Sequence, residues 1–174
     1  MIRFLSLDII LIQETLSSIS RAISYFLEVF PTWHFVGVDA SGHSGGLLAM
    51  WDLRKATFCA HSLFASILLP SRIRGYICHF HLINLYAPYN NHSAFWDPIQ
   101  RCNIFNINGL IMAGDFNATL LEVERWGVHS WPDHLVDKLF GLFRGHHMKH
   151  MCSAPISPTW TNHVGGWILW EEAW

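Results

Sequence analysis

Apolar runs broken by short polar stretches outline the elements of this chain. "DIILIQE" (8–14) is a β-branched run ending in polar residues, the pattern of a buried strand that reaches a sheet edge. Across 15–31, Leu16, Ile19, Ile23, Phe26 and Leu27 recur at helical spacing, and Pro31 ends the segment. A strand followed so closely by a helix predicts an α/β layer architecture. "WHFVGV" (33–38) reads as a strand and "ASGHSGG" (40–46) as a glycine-serine turn. Residues 45–52 and 56–63 together read as a hairpin or meander. Residues 74–90 hold two β-like stretches, alternating Tyr76, Cys78 and Phe80 and then "LINLYAP", closed by Pro88. Residues 93–107 are predicted helical, with Pro98 tolerated only near the start. "LIMAGDF" (110–116) reads as a buried strand. In 132–145, Leu135, Leu139, Leu142 and Phe143 share one helix face, with Pro132 near its start and Gly145 past its end. Strands outnumber helices and come in consecutive groups. That predicts two sheets stacked face to face with helices outside, rather than a βαβ repeat.

Composition narrows the picture. The 174 residues suggest one domain, and no repeat, low-complexity tract or linker divides them. Apolar residues are 51% and charged residues 14%, so a core is easily built and the charged coat is thin. With nine Trp and twelve Phe, some large apolar surface must be exposed or covered by something else, and poor solubility is expected. A net charge of −2 argues against tight nonspecific nucleic-acid binding, but not against an enzyme that meets a phosphodiester locally. Cys59, Cys78, Cys102 and Cys152 form no CxxC pair, which disfavours a cysteine zinc site. The apolar start is broken by Arg3, Asp8 and Glu14 and lacks a cleavage motif, so it reads as neither signal peptide nor membrane span. The default is an intracellular chain with reduced thiols.

Three of these strands end in polar residues: Glu14 after "DIILIQ", Tyr86 within "LINLYAP", and Asp115 with Asn117 after "LIMAG". Sheets gather strand ends at a rim, so these residues can converge. Glu14 is a hard oxygen ligand suited to magnesium. An aspartate beside a scissile phosphate can orient or deprotonate water. An asparagine amide and a tyrosine hydroxyl can donate to phosphate oxygens. Together these are the means of metal-assisted phosphodiester hydrolysis. Each also has a plainer reading. If the strand continues, Asp115 and Asn117 point the same way, as a pair aimed at a metal or a phosphate would; the plainer reading is a strand followed by an Asx-type turn. Gly45 and Gly46 lack a following GKS or GxGxxG, so turn and packing roles are favoured over a phosphate loop. "HHMKH" (146–150) follows Gly145 and has no glutamate between its histidines, so a loop is favoured over zinc.

"DIILIQET", "SGGLLAMWD", "INLYAP" and "GDFNATL", in that order and spacing, resemble the endonuclease/exonuclease/phosphatase superfamily. They are most similar to the apurinic-endonuclease-like domain of plant LINE-type (non-LTR) retrotransposons, and "SPTWTN" (157–162) fits that family's next motif. The resemblance implies a DNase-like, four-layered α-β-β-α sandwich of two mixed sheets over 1–174. It implies Glu14 as the ligand of magnesium, for which manganese could substitute. It implies Tyr86 as a phosphate contact, Asp115 as the residue that activates or positions water, and Asn117 as a phosphate binder. DNA is the implied partner and the nucleus the implied location, with no membrane role.

The sequence departs from the family in two places. The family's first strand, carrying an Asn, has no counterpart before "DIILIQET". "WEEAW" (170–174) stands where "WERLD" is expected, and no Asp-His pair follows. The expectation is therefore a domain partial at both ends, endonuclease in origin and degenerate in catalysis. The alternatives are an inactive relic or interaction domain and, further off, a phosphatase of the same superfamily.

Overall fold

The computed structural model describes residues 7–41, 45–63, 65–73, 79–118 and 134–149. The chain forms two compact units. The first runs to Ala87 and resumes over Ser93–Gly114; the second holds Pro88–His92 and the chain from Asp115.

The first unit opens with β1 (Ile9–Gln13), α1 (Ile19–Val29), β2 (Trp33–Val38) and β3 (Leu47–Asp52). These strands form one antiparallel sheet in the order β1-β3-β2, with Ile12 opposite Leu48 and Val36 opposite Ala49. Alternation divides its side chains between two faces. Leu48 and Met50 pack on Ala22 and Phe30 of the α1 segment, with Ile10, Ile12, Ile23 and Phe26 alongside. Leu47, Ala49 and Trp51 face the other way, into the core between the sheets.

The second sheet contains β4 (Ala56–Phe58), β5 (His61–Leu63), β6 (Ser66–Ile73), β7 (His81–Tyr86) and β8 (Leu110–Asp115). Its order is β4-β6-β7-β8, with β5 also paired to β6. Ile67, Leu69 and Leu82 supply its side of the shared core, joined by Phe58 and Tyr86. Ile83 and Leu85 point to the opposite face, where they line a small pit with Ile99, Cys102, Ile104 and Met112. Ile99 comes from α2 (His92–Arg101), Cys102 from just past its end, Ile104 from the 3₁₀ turn Ile104–Asn106 that follows, and Met112 from the neighbouring β8. Helix, sheet, sheet and helix thus stack in four layers, the expected α/β sandwich. The second unit carries α3 (His134–Gly145), whose buried face is the predicted Leu135, Leu139 and Leu142.

Several details differ from the sequence reading. Residues 45–52 and 56–63 are not a hairpin: β3 pairs with β1 and β2, and β4 pairs with β6. The 53–55 turn carries the chain from one sheet to the other, and Trp51 and Phe58 meet edge to face between them at 5.0 Å. The strand β6 went unpredicted because Pro70 interrupts it. Pro70 stands where the partner of β6 changes from β5 to β4, and its carbonyl accepts from the Cys59 N–H at 3.2 Å. Proline is tolerated at such breaks in a ladder. Leu16 and Leu27 are exposed, because α1 begins only at Ile19 and turns Ala22 and Ile23 inward in their place. Pro98 lies well inside α2 rather than near its start, and the helix ends three residues later. Gly145 closes α3 rather than following it. Pro132, Tyr76 and Cys78 lie outside the described residues. Among the described residues, Cys59 and Cys102 are exposed and outside any disulfide.

Two contacts yield predictions. A Cβ on Gly114 would lie 2.0 Å from the Leu85 carbonyl oxygen, at a φ of +127° that disfavours side chains. Gly114→Ala is expected to cost at least about 1–3 kcal/mol of stability through backbone strain. A melting temperature equal to wild type would contradict that close approach. The second contact lies at the end of β3, where buried Asp52 accepts a forked pair of hydrogen bonds from Arg54, Nη2 at 2.6 Å. The Arg54 side chain, then its backbone N–H, hold the Asp52 carboxyl down from 3.8 to about 2. A depressed carboxyl stabilises the fold above its ordinary value and loses that contribution as pH falls towards the folded value. Arg54→Met is therefore expected to lower the melting temperature at pH 6, with the deficit shrinking between 3.8 and about 2. A deficit independent of pH would refute the assignment.

Candidate functional site

β1 stops at Gln13, and Glu14 turns the chain through a left-handed φ of +51°, an uncommon conformation for glutamate. The carboxylate is exposed at this strand end. From β7, 72 residues away, the Tyr86 hydroxyl donates to Glu14 Oε1. The structure thus joins the first two residues of the predicted site. A left-handed glutamate held by a phenol is more than a loose surface carboxylate.

The backbone beyond Glu14 is pinned. The Thr15 N–H donates to the Gly46 carbonyl at 3.3 Å, and the Leu16 N–H to the Gly45 carbonyl at 3.2 Å. Gly46 has a φ of +87°, and a Cβ there would lie 2.2 Å from Thr15 Oγ1. The glycine pair has the turn and packing role expected of it, and that role is to back the Glu14 turn. This connection was not visible in the sequence, because nothing local links 45–46 to 14–16. Asn84 was missed as well. It is wholly buried, one inward position before Tyr86, and its amide reaches across to the first sheet.

Asp115 and Asn117 belong to the second unit and are described there. The structure brings these two together as well: the Asn117 N–H donates to Asp115 Oδ1 at 2.7 Å. This corrects the periodicity argument. β8 ends at Asp115 and Asn117 adopts a left-handed φ of +45°, so the two do not project as strand neighbours. The aspartate folds the chain into an Asx turn, the plainer of the two explanations. Phe116 packs edge to face on Phe143 of α3 at 6.1 Å. Both polar residues are half-buried.

The donor chemistry bears on a metal ion. Among the described residues, no group of three His, Cys, Asp or Glu could hold one, so an all-protein cage is absent there. Magnesium, however, commonly takes one or two carboxylates and keeps several waters. An exposed carboxylate steadied by a phenol fits an ion held that way. His147 adopts a left-handed φ of +56° just beyond α3, in a loop, as expected of "HHMKH". His150, "SPTWTN" and "WEEAW" lie outside the described residues. No described helix is long and apolar enough to cross a membrane.

No family model matches the sequence, and no curated protein matches it either. Solved structures do match. The endonuclease domain of TRAS1, a telomere-specific non-LTR retrotransposon, is similar at a TM-score of 0.62 and 16% identity, over 91% of this chain and 77% of that one. An endonuclease/exonuclease/phosphatase family protein from Bacteroides thetaiotaomicron is similar at 0.50 and 15%, over 67% of this chain and 52% of that one. D. rerio TDP2, in complex with a single-strand DNA product, is similar at 0.50 and 14%, over 68% of this chain and 51% of that one. The chain thus spans most of the retrotransposon domain and about half of the other two. At these identities the likeness shows the fold: this is the DNase-like sandwich of endonuclease/exonuclease/phosphatase proteins.

Proposed function

We propose that the chain is a magnesium-dependent, DNA-nicking phosphodiesterase domain of LINE-type retrotransposon origin, with low turnover. The observation that carries this reading is the hydrogen bond from Tyr86 to a left-handed Glu14 at the end of β1. It joins two motif residues far apart in sequence, on the fold that the motifs imply.

In this reading Glu14 would hold the metal, and the single Tyr86 O–H, which here orients the Glu14 carboxylate, would turn to a phosphate oxygen once the metal takes up that carboxylate. Magnesium bound there would supply positive charge to offset the charge that develops in phosphodiester hydrolysis. The family resemblance would give Asp115 the proton of the attacking water and Asn117 an amide contact to phosphate. Water attacks phosphorus, the P–O bond to the leaving strand breaks, and that oxygen takes up a proton. The low turnover follows from "WEEAW", which has no aspartate where the family carries one. A second reading, a domain that keeps the fold and DNA contact without cleavage, draws on the same departure.

Binding tests the shared part of both readings. Fluorescence anisotropy with a labelled duplex is expected to show magnesium-enhanced binding. Tyr86→Phe should weaken it about fivefold, the worth of one hydrogen bond of about 1 kcal/mol. Equal binding by that variant would remove Tyr86 from the phosphate contact.

A further inference from the structure

We propose that Asn84 and Gln13 form a positioning pair that sets the Glu14 carboxylate against the Tyr86 hydroxyl. The proposal rests on the reading of Glu14 and Tyr86 as site residues and extends it to the groups that align them. Asn84 has no exposed surface and projects from β7 into the core between the sheets. Its Nδ2 donates to the Leu48 carbonyl at 3.1 Å and to the Ile12 carbonyl at 3.3 Å. Its Oδ1 accepts from Gln13 Nε2. Ile12 and Leu48 are register partners in the first sheet, so one side chain from the second sheet clamps a whole rung of the first.

The clamp lies one step from the site along both strands. The next inward residue of β7 is Tyr86, and the residue after Gln13 is Glu14. Two successive ties therefore cross between the sheets, Asn84 to Ile12 and Gln13, then Tyr86 to Glu14. A leucine of similar size would fill the core without desolvating an amide, and burying an amide is costly unless it is bonded. What the amide adds is register. It fixes how far β1 slides along β7 and so where the strand end delivers Glu14. The Thr15 and Leu16 bonds to the glycine pair hold the far side of the same turn.

The test reads the Tyr86 phenol directly and needs neither metal nor DNA. The full chain is labelled at tyrosine Cζ, and the Tyr86 resonance is assigned from Tyr86→Phe. Glu14→Gln defines the shift that follows from altering the carboxylate contact. Gln13→Met changes a half-buried side chain at the strand end and is expected to melt within a few degrees of wild type. Its Tyr86 resonance should move towards the Glu14→Gln position. Gln13→Lys, whose ammonium can still donate to Asn84, should return it to the wild-type position. A Tyr86 resonance unmoved in Gln13→Met, or in a folded Asn84→Leu, would overturn the proposal. A Gln13→Lys resonance displaced as far as that of Gln13→Met would overturn it too. Failure of Glu14 as a metal ligand would show in a magnesium titration and leave these spectra unchanged.

Discussion

Asp115→Asn is expected to slow magnesium-dependent nicking of supercoiled plasmid about 10²- to 10⁴-fold, the usual contribution of a positioned general base. The substitution suits the site. Asp115 Oδ1 already accepts the Asn117 N–H at 2.7 Å, and an amide oxygen can accept the same bond. The Asx turn should therefore persist, and the Phe116 contact with Phe143 should persist with it. What is lost is the negative charge and the capacity to take a proton from water. A melting temperature near wild type with nicking lost would place Asp115 in the chemistry. Nicking at the wild-type rate would make it a turn residue only.

The second large effect is expected of Glu14→Gln. Shape is kept, and the Tyr86 hydroxyl can donate to the amide oxygen in place of Glu14 Oε1. The strand end and its left-handed turn should survive. The hard anionic oxygen that magnesium prefers does not. Partners of metal ligands that never touch the ion carry about 10- to 100-fold in affinity, so loss of the ligand itself should exceed about 100-fold. Isothermal titration of magnesium into the full chain reads this directly. Nicking at limiting magnesium should fall in parallel. Unchanged affinity in Glu14→Gln would remove Glu14 from the metal site, whatever the fate of nicking.

Much of this architecture could be read from local patterns. β1, β2, β7 and β8 each fill an apolar run bounded by turn residues, and α3 shows one buried face every three to four residues. Failures came where long-range pairing decides. Nothing near 53–55 says that the chain leaves one sheet for the other, and nothing near Pro70 says that its strand spans two partners. The candidate residues were legible as residue types and motif order, and the idea that strand ends share a rim anticipated the contact between Glu14 and Tyr86. The inference that Asp115 and Asn117 project together as strand neighbours failed because turn chemistry overrode strand alternation once β8 ended. Asn84 and the Gly45-Gly46 pair carry no local signal of their partners. Their roles appear only when residues 12–16, 45–48 and 84–86 meet in space.

The central claim is a metal-dependent phosphodiester site, and one measurement tests it most directly. Supercoiled plasmid is incubated with the purified, folded chain in magnesium and in EDTA, beside an Asp115→Ala control. The account predicts slow single-strand nicking in magnesium, none in EDTA, and none by the control. A folded chain that leaves the plasmid supercoiled in magnesium, or nicking that persists in EDTA or in Asp115→Ala, would contradict it.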